Sequence, residues 1–410
     1  MRGGGRRFAA VGALALALVA PSVLPTGLPL GATSAVAAAH KATLSSSASN
    51  VVKGEAVWFT GTLRDSSGGA KTKVILQHRA PGGSWRSLAS TRSSASGSFT
   101  IRTHPTSTRE YRIRAELDGK MRSSETVRVT RTTKKRSLET RRTQIGDRLG
   151  TASTGVKTAR ATSLRKVGLS GVTKMRYQTF SKGTLVEVTR KGAVRTWLVQ
   201  GKIRTAWNKA KKMTGTYGVP KEDAQCGLLE GGCVQSFAKG ALYSKSSKSK
   251  AIGQKGTSRA AELIAVARSQ VGYKEPSWRG SKYNRWVGSS YAWCGVFQSW
   301  VAVASGNPGV LPTRDNFPAL VRAVKASKSI TTFSPRSKKH KPKVGSYAFY
   351  DYSYSRSGAT HVGLILQVRK KTLVTLEGNT SKSGGFGSKR GVYIRERSKA
   401  RVDFYAHPSY

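Results

Sequence analysis

Thr360-His361-Val362-Gly363-Leu364-Ile365-Leu366-Gln367-Val368, followed by Thr372-Leu373-Val374-Thr375-Leu376-Glu377-Gly378-Asn379, is the stretch whose reading decides the fold of the last third of this chain. Side chains alternate across a strand. Val362, Leu364, Leu366 and Val368 therefore point one way, and His361, Gly363 and Gln367 the other. In the next run Val374 and Leu376 face a core, while Glu377 and Asn379 share the opposite face. Similar β-rich runs at 344–352, 391–397 and 402–407 complete an expected antiparallel sheet.

Helical periodicity precedes this sheet. Ser258 is a candidate cap, and Ala260, Leu263, Ile264, Ala267 and Val271 form one apolar stripe closed by Gly272. Cys294, Phe297, Val301 and Ala304 form a second stripe ending at Gly306, and a third short helix is expected at 317–325. Between the first two lie Trp278, Tyr283, Asn284, Trp286, Tyr291 and Trp293, which read either as core or as a groove for sugar or peptide. An α+β arrangement follows, with the cysteine helix against the polar side of the sheet and Gly363 leaving room for a substrate.

The chemistry-bearing residues then fall into three groups: Trp293-Cys294-Gly295-Val296-Phe297, Thr360-His361-Val362-Gly363, and Leu376-Glu377-Gly378-Asn379-Thr380. A thiol in the first turn of a helix lies at the positive end of the macrodipole, which favours the nucleophilic thiolate. An imidazole can take its proton while an acid or amide orients the ring. Cys294 is read as the nucleophile, His361 as the base, Glu377 as the third member and Asn379 as an orienting or polarising group, with Asp351 a rival to Glu377. A zinc site from Cys294, His361 and Glu377 is the competing reading, but it lacks paired-ligand spacing. No metal or cofactor is expected.

These motifs resemble the CHAP domain, the cysteine, histidine-dependent amidohydrolase/peptidase family. His361 precedes Glu377 by sixteen residues and Asn379 by eighteen, a separation familiar from that family. The resemblance covers 257–410. It implies a papain-like fold and peptidoglycan amide substrates, with cleavage either as an N-acetylmuramoyl-L-alanine amidase or as an endopeptidase. An NlpC-type peptidase fits less well, because its third polar member is commonly a second histidine.

The rest of the chain indicates where such chemistry would operate. Its 410 residues allow about three domains of roughly 150 residues each. Arg2, Arg6 and Arg7 precede an apolar run from Phe8 to Ala20 and small residues up to Ala39, the pattern of an export signal over 1–39. Residues 40–131 carry short strands between Gly, Ser and Pro clusters, as in a β-sandwich, and resemble the immunoglobulin-like modules of exported actinobacterial proteins. His78 and His104 within them read as surface or turn residues. A basic linker is expected at 132–143.

Residues 144–254 contain a repeat. Gln178, Phe180 and Gly183 recur as Gln235, Phe237 and Gly240 at an offset of 57, whereas Leu149-Gly150 answers Tyr217-Gly218 at 68, so the first copy carries an eleven-residue insertion. Tyr217-Gly218-Val219-Pro220 resembles the LGFP repeat, which implies attachment to a cell wall. A Ser/Lys-rich hinge is expected at 245–255.

Net charge is +53, and the export signal would remove only three arginines of it. Such a balance calls for a polyanionic partner. Outside a cell that partner is a wall polymer or peptidoglycan rather than nucleic acid. Cys226 and Cys233 are expected to pair in an oxidising compartment, leaving Cys294 as a single thiol. No later segment is long and apolar enough to span a membrane. The alternative to an enzyme is a non-catalytic wall-binding structural protein.

Overall fold

The computed structural model describes residues 41–51, 57–132, 136–245, 249–277, 279–353, 358–381 and 390–410. The expected export signal at 1–39 lies outside the described residues. The described chain is β-rich and built from several separate sheets.

The first part, up to Arg131, consists of two sheets, one centred on Val57–Asp65 and one on Arg109–Leu117. Their inward residues, Val57, Phe59, Leu63, Val74, Leu76, Ile113 and Val129, share one core. The alternating pattern of Arg109–Leu117 shows why: Tyr111, Ile113, Ala115 and Leu117 are all buried, and each intervening residue is more exposed.

The basic linker expected at 132–143 is instead partly structured. Ser137 caps a helix, Leu138–Ile145, by accepting from the Thr140 amide at 3.2 Å. Leu138 and Ile145 are buried, and Arg176 bridges Glu139 and Glu187 beside them. Basic composition hid two apolar residues, Leu138 and Ile145, spaced seven apart at the two ends of one short helix.

The repeat is architectural. Each copy ends in an antiparallel hairpin, Val172–Thr179 with Gly183–Arg190, and Cys233–Phe237 with Gly240–Ser244. In each, a buried glutamine amide secures the upstream chain: Gln178 donates to the Thr154 carbonyl at 3.0 Å and Gln235 to that of Glu222 at 2.7 Å. Isolated bridges Ala152↔Phe180 and Pro220↔Phe237 match as well. Gly150 and Gly218 both adopt positive φ, +72° and +75°, where a side chain would be strained. The insertion falls between anchor and glutamine, a separation of 24 residues in the first copy and 13 in the second. It forms a short strand, Lys157–Thr158, and a helical turn, Ala161–Leu164. Cys226 and Cys233 are disulfide-bonded, and Cys294 is free and buried.

The hinge expected at 245–255 is in part a paired strand. Ile252–Lys255 is a strand paired with Gly240–Ser244. The core does not break there either: Val234 and Tyr243 of the repeat pack in the same cluster as Leu263, Ile264 and Trp300.

The C-terminal part contains helices α1 (Ala260–Arg268), α2 (Lys282–Val287), α3 (Cys294–Ala304) and α4 (Phe317–Lys325). Six strands follow: β1 (Ile330–Phe333), β2 (Tyr347–Tyr350), β3 (His361–Val368), β4 (Thr372–Thr380), β5 (Gly391–Ser398) and β6 (Val402–Pro408). They form one antiparallel sheet in the order β1-β6-β2-β3-β4-β5. The expected sheet is present, with β1 added. Helix α1 stops at Arg268 rather than running to Gly272, and Val271 is exposed. Helix α2 arises because Ser281 caps the Asn284 amide and Gly288 takes the left-handed conformation.

One guanidinium joins the parts. Arg102 of the first part meets Glu222 of the repeat at 2.8 Å and Glu262 of α1 at 3.4 Å, with its cation over Trp58. Burial pushes Glu222 up to about 7, against the pull of Arg102 and aided by Glu262. A carboxyl raised in the folded state contributes stability that is complete below about pH 4.5 and lost as pH rises through about 7. The melting temperature of the wild type is therefore expected to fall by a few degrees between pH 4.5 and 8 from this group, and that of Glu222→Gln to lack this component. Thermal melts across that range check it, and parallel curves for the two proteins would exclude it.

Candidate active site

Cys294 is the first residue of α3, which is buried on every side. Tyr283 stacks on Trp293 with ring centroids 5.1 Å apart and meets Phe297 and Trp300 edge-on at 5.1 and 5.3 Å. The Trp293 indole donates to buried Glu275 at 2.9 Å. Tyr283 and Trp293 of the aromatic loop are thus core, fixing the start of the helix, and each such buried ring contributes on the order of 2–3 kcal/mol. Trp286 is half-buried, Asn284 bonds the Tyr291 carbonyl at 2.8 Å, Tyr291 is exposed, and Trp278 lies outside the described residues.

Helix α3 lies against the apolar face of the sheet, not the polar one as expected. Phe297 and Val301 pack with Val362, Leu364 and Leu376. The reason is local. A Cβ on Gly378 would stand 2.6 Å from Phe297, so glycine there admits the helix. Hydrophobic burial also outweighs any attraction between a polar strand face and a helix whose residues are nearly all apolar.

His361, at the start of β3, lies on the other face with Thr375 and Glu377. It is nonetheless close enough to Cys294 for the sulfur to help raise its pKa, which links the helix start to the sheet. Its Nε2 donates to Glu377 Oε2 at 3.0 Å, which leaves Nδ1 as the nitrogen for the thiol. The His361 side chain is 12% exposed and that of Glu377 is fully buried. Gly363 does not provide room for substrate. A Cβ there would meet Thr375 at 2.8 Å and the Glu377 stem at 3.0 Å, so the absent side chain lets the carboxylate close on the imidazole.

The carboxylate is held from every side. Thr375 Oγ1 donates to Oε1 at 2.7 Å, while Arg397 donates through Nε to Oε1 at 2.9 Å and through Nη2 to Oε2 at 2.6 Å. Burial alone would raise Glu377, but His361 and Arg397 hold it down to about 2. Burial likewise disfavours the imidazolium, yet Glu377, with Cys294, raises His361 to about 9. The ring carries its proton at neutral pH.

Of the residues singled out by sequence, Cys294, His361 and Glu377 come together. Asn379 stands apart. It sits in a β-bulge between Glu377 and Thr380 with φ +57°; its carbonyl accepts from Arg390 at 3.4 Å, and its side chain makes no hydrogen bond among the described residues. The bulge breaks the alternation that would have placed Glu377 and Asn379 on one face. Asp351 is used elsewhere, accepting from the Ser353 and Gly358 amides at 2.8 and 3.1 Å. Among the described residues no three His, Cys, Asp or Glu side chains are grouped to hold a metal ion. Arg397 and Thr375 were not singled out from the sequence. The signal available was a buried carboxylate in a strand whose neighbour, Gly391–Ser398, carries arginines at alternate positions.

Compared with known proteins, the chain matches no family model and no curated protein sequence.

Proposed function

We propose that this chain is an exported cysteine amidohydrolase of the CHAP type, acting on peptide amides of peptidoglycan. One observation supports this above others: His361 is bound at Nε2 by a buried carboxylate while a thiol at a helix start lies within electrostatic reach of its ring. That geometry suits acyl transfer. Cys294 sulfur bonds to the amide carbonyl carbon, and the proton shared with His361 goes to the leaving amine as the C–N bond breaks. Water then adds to the thioester, giving the carboxylic acid and the thiol again. The Cys294 amide belongs to the first turn of α3, whose N–H groups have no intrahelical partner, and in this reading it would donate to the oxyanion. Asn379 remains a candidate for polarising the substrate through its side chain, separate from the hydrogen-bonded set.

The repeat pair fits the LGFP-like role of wall attachment, the first part fits an immunoglobulin-like module, and +53 of net charge favours anionic wall polymers over a neutral surface. Among the described residues no helix is long and apolar enough to cross a membrane.

Digestion of defined peptidoglycan, with mass spectrometry of the released fragments, tests the reading. A new free amine with its matching carboxylate is the expected product. A free L-alanine amine names an amidase, and an amine within the stem or cross-bridge an endopeptidase. Wall binding with no new amine end would favour a non-catalytic wall protein.

A further inference from the structure

We propose that Arg397 is the positioning residue of this site, acting on the reaction through Glu377 and His361 without touching substrate. The inference rests on the hydrolase reading for its consequence and on the hydrogen-bond geometry for its substance.

A carboxylate buried as completely as that of Glu377 cannot stay ionised without compensation. His361 offers one donor. Arg397 supplies a planar fork that takes one hydrogen from Nε to Oε1 and one from Nη2 to Oε2, a match of geometry that an ammonium group cannot reproduce. The fork is itself fixed. Its Nη2 also reaches Thr380 Oγ1 at 3.1 Å, and the guanidinium lies 5.5 Å from the Tyr352 ring. With Thr375 on Oε1, both carboxylate oxygens are doubly engaged, and rotation that would carry Oε2 away from His361 is blocked.

The titratable and charged groups facing Glu377 are His361 on β3, Arg397 on β5, Tyr350 on β2 and Tyr352 just beyond it, with Cys294 of α3 behind the imidazole. Arg395 and Arg401 act on Tyr352 rather than on the carboxylate. Among the described residues, Arg397 is thus the one cation besides His361 that keeps Glu377 ionised. Without it, desolvation would raise the carboxyl, and its protonation would release the imidazole at a pH where the wild type keeps it bound.

The test measures kcat, KM and the pH–rate profile of Arg397→Met and Arg397→Lys on one defined peptidoglycan substrate. Alongside it, proton NMR follows the downfield His361 Nε2 proton from pH 3 to 8. Arg397→Met is expected to lower kcat about 10²-fold with KM changed less than twofold, to move the acid limb up by at least one pH unit, and to lose the downfield proton at correspondingly higher pH. Arg397→Lys restores the charge but not the fork, so it should recover the acid limb and only part of kcat. A purely structural arginine would change melting temperature and leave both profiles where they are, and that result overturns the proposal. If Arg397→Met does not fold, Arg397→Lys with wild-type kcat overturns it equally. The NMR readout needs no turnover. A wild type without hydrolysis but with an Arg397-dependent Nε2 proton would sink the hydrolase reading and keep the positioning role.

Discussion

Replacement of Cys294 by alanine is expected to remove at least about 10³-fold of the amide-hydrolysing activity, leaving the fold intact. In the proposed mechanism Cys294 carries the covalent step, and no other thiol can stand in: the chain has three cysteines, and Cys226 and Cys233 are bonded to each other. The substitution removes one sulfur from a buried position and creates a small void, a cost of about 1 kcal/mol, within ordinary single-mutant effects. His361 also loses one of the two partners that raise it, so its proton affinity falls in the variant. Release of new amine ends from purified walls, with a melting curve as the folding control, measures both effects. A folded Cys294→Ala protein that digests walls as fast as its parent would end the enzymatic reading.

Glu377→Gln is expected to affect rate and stability together. The isosteric amide keeps an acceptor but loses the charge that both His361 and Arg397 use. A partly buried guanidinium is left without its counter-ion, which costs about 1–3 kcal/mol. The imidazole loses the main interaction that raises it. In the wild type the His361 contribution to stability is complete below about pH 6.5 and lost as pH rises through about 9; that of Glu377 is complete above about pH 4.5 and lost as pH falls through about 2. In the variant the first window shrinks and the second is absent, because an amide does not titrate. The alkaline limb of kcat/KM, which reports the imidazolium needed to protonate the leaving amine, should move from about 9 towards the ordinary histidine range. The rate at neutral pH should drop by roughly 10²–10⁴-fold. A variant whose alkaline limb is unmoved would show that Glu377 does not govern the imidazole.

Much of the C-terminal part was legible in the sequence because period-2 and period-3.6 patterns are direct consequences of backbone geometry. The helix at Phe317–Lys325 and the strands that follow lie close to where periodicity placed them. Cys294, His361 and Glu377 were legible for the same reason: their types and spacing are restrictive. What escaped depends on distances between strands. With 72 arginines and lysines in the chain, Arg397 does not stand out by type, and its role follows only from the register of β4 against β5. The function of Gly363 reversed, from room for a ligand to room for a carboxylate, because strand alternation says which face a residue occupies and not what fills it. The side of the sheet taken by α3 is decided by the ten other residues of its helix, nearly all apolar, and not by the cysteine. Composition misled at 132–143 and 245–255, where lysine, arginine and serine conceal a capped helix and a paired strand.

The uninterrupted cluster that runs from Val234 and Tyr243 into Leu263 and Trp300 limits how this protein could be recombined. A breakpoint placed at the Ser/Lys-rich stretch would pass through a single interior rather than between two, leaving each fragment with an uncovered oily wall. The second repeat and the thiol-bearing segment therefore form one packed unit, held at one spacing instead of being joined by a tether of adjustable length.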